Sequence, residues 1–170
     1  MRRALTIAPI VLGVAVTPLL AQERPLDGPA PIVLSQLVGT WTFEMFVPGR
    51  DYPFAKGQRE FRMMDDSLKL SWTDDYEGTS ADGAGFLGYD SRHRAYYLMG
   101  VQSGQPTPLL LLGTAAGDTI HFNADEAIGP YRNPPGLYVS SELRMLGPDR
   151  FEWIMNGAGW RAEFTRQGGP

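Results

Sequence analysis

Few side chains in this sequence are suited to catalysis at neutral pH. None of the 170 residues is cysteine, which excludes thiolate chemistry, disulfides and cysteine-based metal sites. The two histidines, His93 and His121, lie in different segments, and neither an H-x-H nor an H-E-x-x-H pattern occurs. We therefore predict no metal site and no cofactor.

Acidic residues cluster in the glycine-rich segment 74–85, where Asp74, Asp75 and Glu77 precede Asp82. An oxygen-rich loop of this kind would suit Ca²⁺, a hard cation. The spacing does not match an EF-hand loop, so we interpret the segment as a solvated loop without a metal.

Other catalytic motifs are absent or lack their structural context. Gly83, Gly85 and Gly88 match the letters of G-x-G-x-x-G, but no helical pattern follows them, as dinucleotide binding would require. No serine lies in a G-x-S-x-G setting. The sequence leaves an enzymatic function open but favours a non-enzymatic one.

Aromatic residues and methionines recur at every second position in several segments, beginning with Trp41, Phe43 and Met45. Side chains at this spacing share one face of a strand. They predict either an apolar ligand pocket or a filled core, and both interpretations stay open. The candidate ligand-binding residues inside the fold are Phe43, Met45, Phe61, Met63, Trp72, Tyr97, Met99, Trp153 and Met155.

The fold class follows from the same alternation. Short period-2 segments recur along the chain and are separated by turn residues, of which the chain has 20 glycines and 14 prolines. No run of ten residues has helical periodicity, which disfavours an α/β fold. We predict an all-β protein, an antiparallel up-and-down β-barrel of about 8–10 strands.

The N-terminus has the pattern of an export signal. Arg2 and Arg3 precede an uncharged run over residues 4–21, and Ala21 is a suitable last residue before cleavage. An uncleaved anchor is the alternative, although Pro9 and Pro18 disfavour a helix there. We predict a signal peptide over 1–21, a proline-rich tether over 22–31, a single barrel domain over 32–170, and a periplasmic or secreted location.

Charge excludes one class of partner. The formal net charge is -4 and the isoelectric point is near 5.1, so nothing in the composition favours binding to nucleic acid phosphates. Once the signal is removed, we expect no stable membrane span.

Gly39-Thr40-Trp41 resembles the start of the first strand in lipocalins and related calycin barrels. In that superfamily the tryptophan closes one barrel end and an arginine of the last strand packs over it. The resemblance therefore implies barrel closure by Gly39, Trp41 and Arg166, with Arg161 as the less favoured arginine.

A longer pattern resembles an exported bacterial lipocalin-like (calycin-type) domain family whose function is unknown. It combines GTW with GFLGYD at 85–90, FEWIM at 151–155 and FTR at 164–166, and it extends over about 37–167. The resemblance implies a barrel and brings no catalytic residues. Residues 129–136, which are rich in proline, are interpreted as a local lid or insertion.

Three functions remain. The first is binding of a small apolar or amphipathic ligand inside an exported barrel. The second is an isomerase-type or hydrolase-type enzyme that uses the barrel interior as its pocket, which would need an inward polar residue. The third is an envelope interaction protein with a solid barrel. Arg50, Arg59 or Arg62 could meet an anionic head group at the barrel mouth, although a surface role is favoured for them.

Overall fold

The structure, a computed structural model, describes residues 34–64, 68–104, 108–123, 140–157 and 159–168. These residues form one short 3-10 helix, Leu34–Leu37, and ten strands. The strands are β1 (Gly39–Phe46), β2 (Ala55–Met63), β3 (Lys69–Tyr76), β4 (Asp82–Asp90), β5 (Ala95–Gln102), β6 (Leu109–Ala116), β7 (Thr119–Asn123), β8 (Ser140–Gly147), β9 (Arg150–Met155) and β10 (Trp160–Arg166).

Each strand pairs antiparallel with the next along the chain, and β10 returns to pair with β1, which closes the barrel. Phe43 of β1 lies opposite Phe164 of β10 on one side and opposite Gly57 of β2 on the other. Closure leaves none of these ten described strands with an unpaired edge. The predicted all-β, up-and-down barrel is therefore confirmed.

The barrel interior is packed mostly with large apolar side chains. Burial alternates along the strands, as in β1, where Trp41, Phe43 and Met45 are buried between more exposed neighbours. The short 3-10 helix adds Leu34 and Leu37 to the same core. A period-2 pattern thus becomes a sheet with one face turned inward.

One end of the barrel is filled by Trp41, which is fully buried. Its Nε1–H donates to the Leu37 carbonyl oxygen at 2.7 Å, so the indole is fixed to the 3-10 helix. The Arg166 guanidinium carbon lies 4.1 Å from the Trp41 ring centroid. Arg166 also donates to the carbonyl oxygens of Val38 at 2.6 Å and Gln36 at 2.5 Å.

Gly39 makes room for this arginine. Its φ is +127°, and a Cβ added there would lie 2.9 Å from Arg166 Nη1. A side chain would therefore meet both backbone strain and the guanidinium.

Aromatic rings form a continuous column from the Trp41 end to the opposite end of the barrel. Trp41 packs on Phe151 at 4.8 Å between centroids, Phe151 stacks on Phe164 at 4.2 Å, and Phe164 packs on Phe43 at 5.5 Å. Phe43 then meets Tyr76 at 5.1 Å. These contacts combine the burial of large apolar surface with favourable ring geometry.

Two predicted interior residues lie on the outer face instead. Tyr97 and Met99 point outward, and Met99 is 39% exposed, whereas Tyr96 and Leu98 are buried inside. Both faces of β5 are apolar, so alternation alone does not fix which face turns inward. The observed register pairs Leu98 with Leu111, and both side chains are in the core.

The predicted solvated loop over 74–85 is also shorter than expected. Strand β3 continues to Tyr76 and β4 begins at Asp82, which leaves only residues 77–81 outside the strands. Asp74 therefore lies inside the barrel rather than in solvent, because it has an ion-pair partner there, as described below.

Some predictions concern residues outside the described part of the chain: the signal peptide over 1–21, the tether over 22–31 and the lid or insertion over 129–136. Among the residues that are described, no helix has the length and apolarity needed to cross a membrane.

Replacing Arg166 with alanine should lower the free energy of unfolding by about 2 kcal/mol, because it removes a cation–π contact and several charge-assisted hydrogen bonds. Urea unfolding followed by fluorescence measures this change. Arg161→Ala is the matched control, since Arg161 lies on the outer face and pairs with Glu163 at 3.0 Å. A loss for R166A no larger than that for R161A would contradict the closing role of Arg166.

Tyr96 makes stability sensitive to alkaline pH. Burial raises the pKa of its phenol from 10.0 to about 12, with a smaller contribution from neighbouring Tyr89. In the unfolded chain the Tyr96 phenol ionises near pH 10, at a lower pH than in the folded protein. The stability that comes from the neutral phenol is therefore present below pH 10 and is lost as the pH rises toward 12.

We therefore expect the wild type to lose about 2 kcal/mol more than Tyr96→Phe between pH 9 and pH 12. Urea denaturation at a series of pH values measures the difference, and the other tyrosines cancel in the comparison. Parallel stability curves for the two proteins would show that burial of Tyr96 has no such effect.

Candidate ligand-binding site at the end opposite Trp41

A buried ion pair lies inside the barrel, between β2 and β3. Arg59 and Asp74 are directly opposite in the β2–β3 register, and both are inward positions of their strands. Arg59 donates from Nε to Asp74 Oδ1 and from Nη2 to Oδ2, each at 2.6 Å. The Asp74 side chain is completely buried and that of Arg59 is 9% exposed. This bidentate geometry satisfies both carboxylate oxygens of Asp74.

Aromatic rings surround the guanidinium of Arg59. Its Cζ lies 4.6 Å from the Trp72 ring centroid, 5.2 Å from that of Trp153 and 5.1 Å from that of Phe164. Phe61 contributes a fourth ring at 5.7 Å. Ring faces offer partial negative charge to a cation that is largely removed from water, which helps offset its desolvation.

The ion pair lines a cavity at the barrel end opposite Trp41, called here the far-end cavity. Its walls come from β1, β3, β5, β6, β9 and β10 as well as from β2, and they are mainly apolar. They include Met45, Leu98, Leu109, Met155 and Ala162. Apolar walls with a few convergent polar groups are typical of small-molecule sites.

The far-end cavity is small. Its volume is about 60 Å³, which is enough for a few water molecules. Toward Trp41 the interior is occupied by buried apolar side chains, including Phe61 and Phe151. The interior thus combines a core of buried side chains near Trp41 with a small cavity at the other end.

Glycines make room for Trp72, one of the two tryptophans beside the ion pair. A Cβ added at Gly100 would lie 2.5 Å from Trp72 Cζ2, and one at Gly83 would lie 3.2 Å from Cζ3. Gly85 faces the same indole. The glycines that match a dinucleotide-binding pattern by letter therefore have a packing role at Gly83 and Gly85.

Three buried donors beside the cavity have no hydrogen-bond partner in the described structure: Arg59 Nη1, Trp72 Nε1 and Trp153 Nε1. All three residues line the far-end cavity. A buried donor without an acceptor costs about 1–3 kcal/mol, and such donors are uncommon in folded proteins. Three donors without acceptors, on residues that line one cavity, are a feature that apolar packing does not explain.

The predicted ligand-binding residues divide into three groups. Phe43, Met45, Trp72, Trp153 and Met155 line the far-end cavity. Phe61 is buried nearer the Trp41 end and Met63 is half-buried against the core. The remaining two, Tyr97 and Met99, lie outside the barrel as described above.

The sequence reading missed the polar part of the site. The sequence favours a surface role for Arg59 over a head-group contact and predicts a loop position for Asp74, whereas both side chains lie inside the barrel. The alternation that places Phe61 inward also places Arg59 inward, and the alternation of Leu70 and Trp72 continues to Asp74. A charged pair at equivalent positions of neighbouring strands was the signal that could have identified both.

The other candidate chemical groups do not come together. His93 lies in an exposed turn, where Nδ1 is 2.6 Å from Asp90 Oδ2, and His121 faces outward near Glu142 at 3.6 Å. Asp75 points to the outer face while Asp74 points inward. Within the described ranges, no group of three or more histidine or acidic side chains could hold a metal ion.

Comparison with known proteins supports the fold alone. No family model and no curated protein sequence matches this chain. Among solved structures, the crystal structure of Rv2717c from M. tuberculosis matches with a TM-score of 0.53 and 21% identity, covering 82% of this chain and 99% of that one. A redesigned β-barrel matches with a TM-score of 0.48 and 13% identity, at the same coverage.

Asp74→Ala should destabilise the barrel by about 3–5 kcal/mol, because it leaves the Arg59 charge buried and unpaired. Replacing both partners, as Arg59→Met with Asp74→Leu, should recover most of this loss, since no buried charge remains. Urea unfolding measures both effects.

The control is the exposed pair of Lys56 and Glu44, 2.5 Å apart on the outer face. Lys56→Ala should leave the unfolding curve unchanged within error, because exposed pairs contribute little. A D74A curve indistinguishable from that of K56A would mean that the inner pair is not structurally important.

Proposed function

We propose that this protein binds a small molecule with an apolar body, and that the body enters the far-end cavity. The observation that carries this proposal is the cavity itself, which combines apolar walls with a buried Arg59–Asp74 pair. A volume of about 60 Å³ suits a very small molecule, or one end of a longer amphipathic chain whose remainder stays outside.

Binding is better supported than catalysis by the state of the inward polar groups. An enzyme in this barrel would need a side chain free to exchange a proton with its substrate. Asp74, the acidic residue of the cavity lining, directs both oxygens to Arg59. That arrangement favours a fixed, structural carboxylate over a general acid or base.

We also propose that the barrel is lipocalin-like and exported. Support for the first statement comes from Arg166 packed over Trp41 beside Gly39, the arrangement that the sequence resemblance implies. Support for the second comes from the sequence alone, in the charged start and uncharged run over 1–21.

Titration with straight-chain alcohols from butanol to octanol tests ligand binding. The affinity should rise about three- to fourfold with each methylene that enters the cavity, since burying one CH₂ contributes about 0.8 kcal/mol. It should then level off once the cavity is full, and the chain length at that point measures the depth available. Saturable amide and indole NMR shifts report binding.

Ala162→Leu is the variant that separates cavity binding from surface binding. Ala162 is buried in the cavity wall, so a larger side chain there should weaken alcohol binding at least tenfold. Ala84→Leu places the same change on the exposed outer face and should have no effect. Alcohol binding that is non-saturable, or equal in both variants, would refute the cavity as the site.

A further inference from the structure

The three unpartnered donors identify the chemistry of the ligand's polar group. Arg59 Nη1, Trp72 Nε1 and Trp153 Nε1 all belong to side chains that are more than nine-tenths buried and that line one cavity. The guanidinium carbon of Arg59 lies within 5.2 Å of both indole centroids, so the arginine donor lies beside both tryptophans.

The site offers donors and no free charge. Arg59 and Asp74 are bonded to each other through two hydrogen bonds, so their charges cancel within the cavity. An anionic ligand would lose its hydration and would gain little from Arg59, whose charge Asp74 already neutralises. A cationic group would meet three N–H donors, which carry partial positive charge and cannot accept a hydrogen bond from it. The favoured ligand is therefore neutral and accepts hydrogen bonds.

Resting on the proposed function, we propose that the ligand presents a carbonyl oxygen, as in a ketone, aldehyde, ester or amide, and that this oxygen accepts from Arg59 Nη1 and from the indole N–H of Trp72 or Trp153. A carbonyl oxygen has two acceptor lone pairs, so one such atom can accept from two donors. The apolar part of the same molecule then lies against the Met155 and Ala162 side of the cavity.

A matched set of four cyclopentane compounds tests this assignment on the full chain: cyclopentanone, cyclopentanol, cyclopentanecarboxylate and cyclopentylammonium. The ring is constant, so affinity differences report the head group. Cyclopentanone should bind at least tenfold more tightly than the carboxylate and the ammonium compound. NMR of ¹⁵N-labelled tryptophan should show the Nε1–H signal of Trp72 or Trp153 moving downfield, because that N–H would donate a hydrogen bond to the ketone oxygen.

Trp41 is the internal reference, because its Nε1–H already donates to Leu37 and should not move. Trp72→Phe and Trp153→Phe remove one donor each, and the variant that lacks the bonded donor should weaken cyclopentanone binding by roughly 3- to 10-fold. Trp160→Phe changes a half-buried tryptophan of the same cavity and should have a smaller effect. Circular dichroism verifies that each variant folds.

Equal affinity for the ketone and the carboxylate, or tighter carboxylate binding, would overturn the assignment while leaving the binding function intact. Unmoved Trp72 and Trp153 signals at saturation would do the same. If the alcohols bind and none of the cyclopentane compounds does, the head-group assignment fails alone. If neither set binds saturably, the proposed function fails together with it.

Discussion

A ten-stranded barrel encloses more volume than aliphatic side chains alone can fill. The packing of the rest of this structure depends on how that volume is occupied. Aromatic rings supply the volume, in a column of contacts from Trp41 to Tyr76. Glycines on neighbouring strands make room for Trp72, which lies against Gly83 and Gly100. A large inward side chain on one strand therefore requires small residues on the strands beside it.

The two ends of the barrel meet this requirement differently. At one end Trp41 is held by Arg166 above it and by Leu37 beside it, and the guanidinium satisfies backbone carbonyl groups at the same time. In the middle, a second arginine is placed entirely inside, where Asp74 neutralises it. Beyond that pair, the packing becomes incomplete and leaves a cavity. Arg166 thus closes one end of the barrel, and Arg59 forms part of the floor of the cavity at the other.

Much of the fold could be predicted because it depends on local patterns. Alternation and turn residues were sufficient for the strands and the up-and-down order, and the Gly39-Thr40-Trp41 resemblance indicated where Arg166 would lie. Orientation failed at Tyr97 and Met99 because β5 is apolar on both faces, so its inward face is decided by the strands beside it. The inward position of Asp74 is not predictable from its own segment, because a buried carboxylate is favourable only with its partner and Arg59 is fifteen residues away in sequence. The cavity depends on volumes left between side chains, which residue order does not contain.

Closure between β1 and β10 has a consequence for how the chain folds. Thr42 and Thr165, paired across this seam, are 123 residues apart, so the last ladder joins segments that are remote in sequence. Pairings of this kind form slowly, because the loss of chain entropy precedes the contacts that compensate for it. Until the seam forms, both strands present unpaired backbone and rows of aromatic side chains, which are templates for association with other chains. The Arg166 contacts with Trp41 and Val38 cross this seam, so they stabilise the closed barrel over the open one, in which both edges are available for intermolecular pairing.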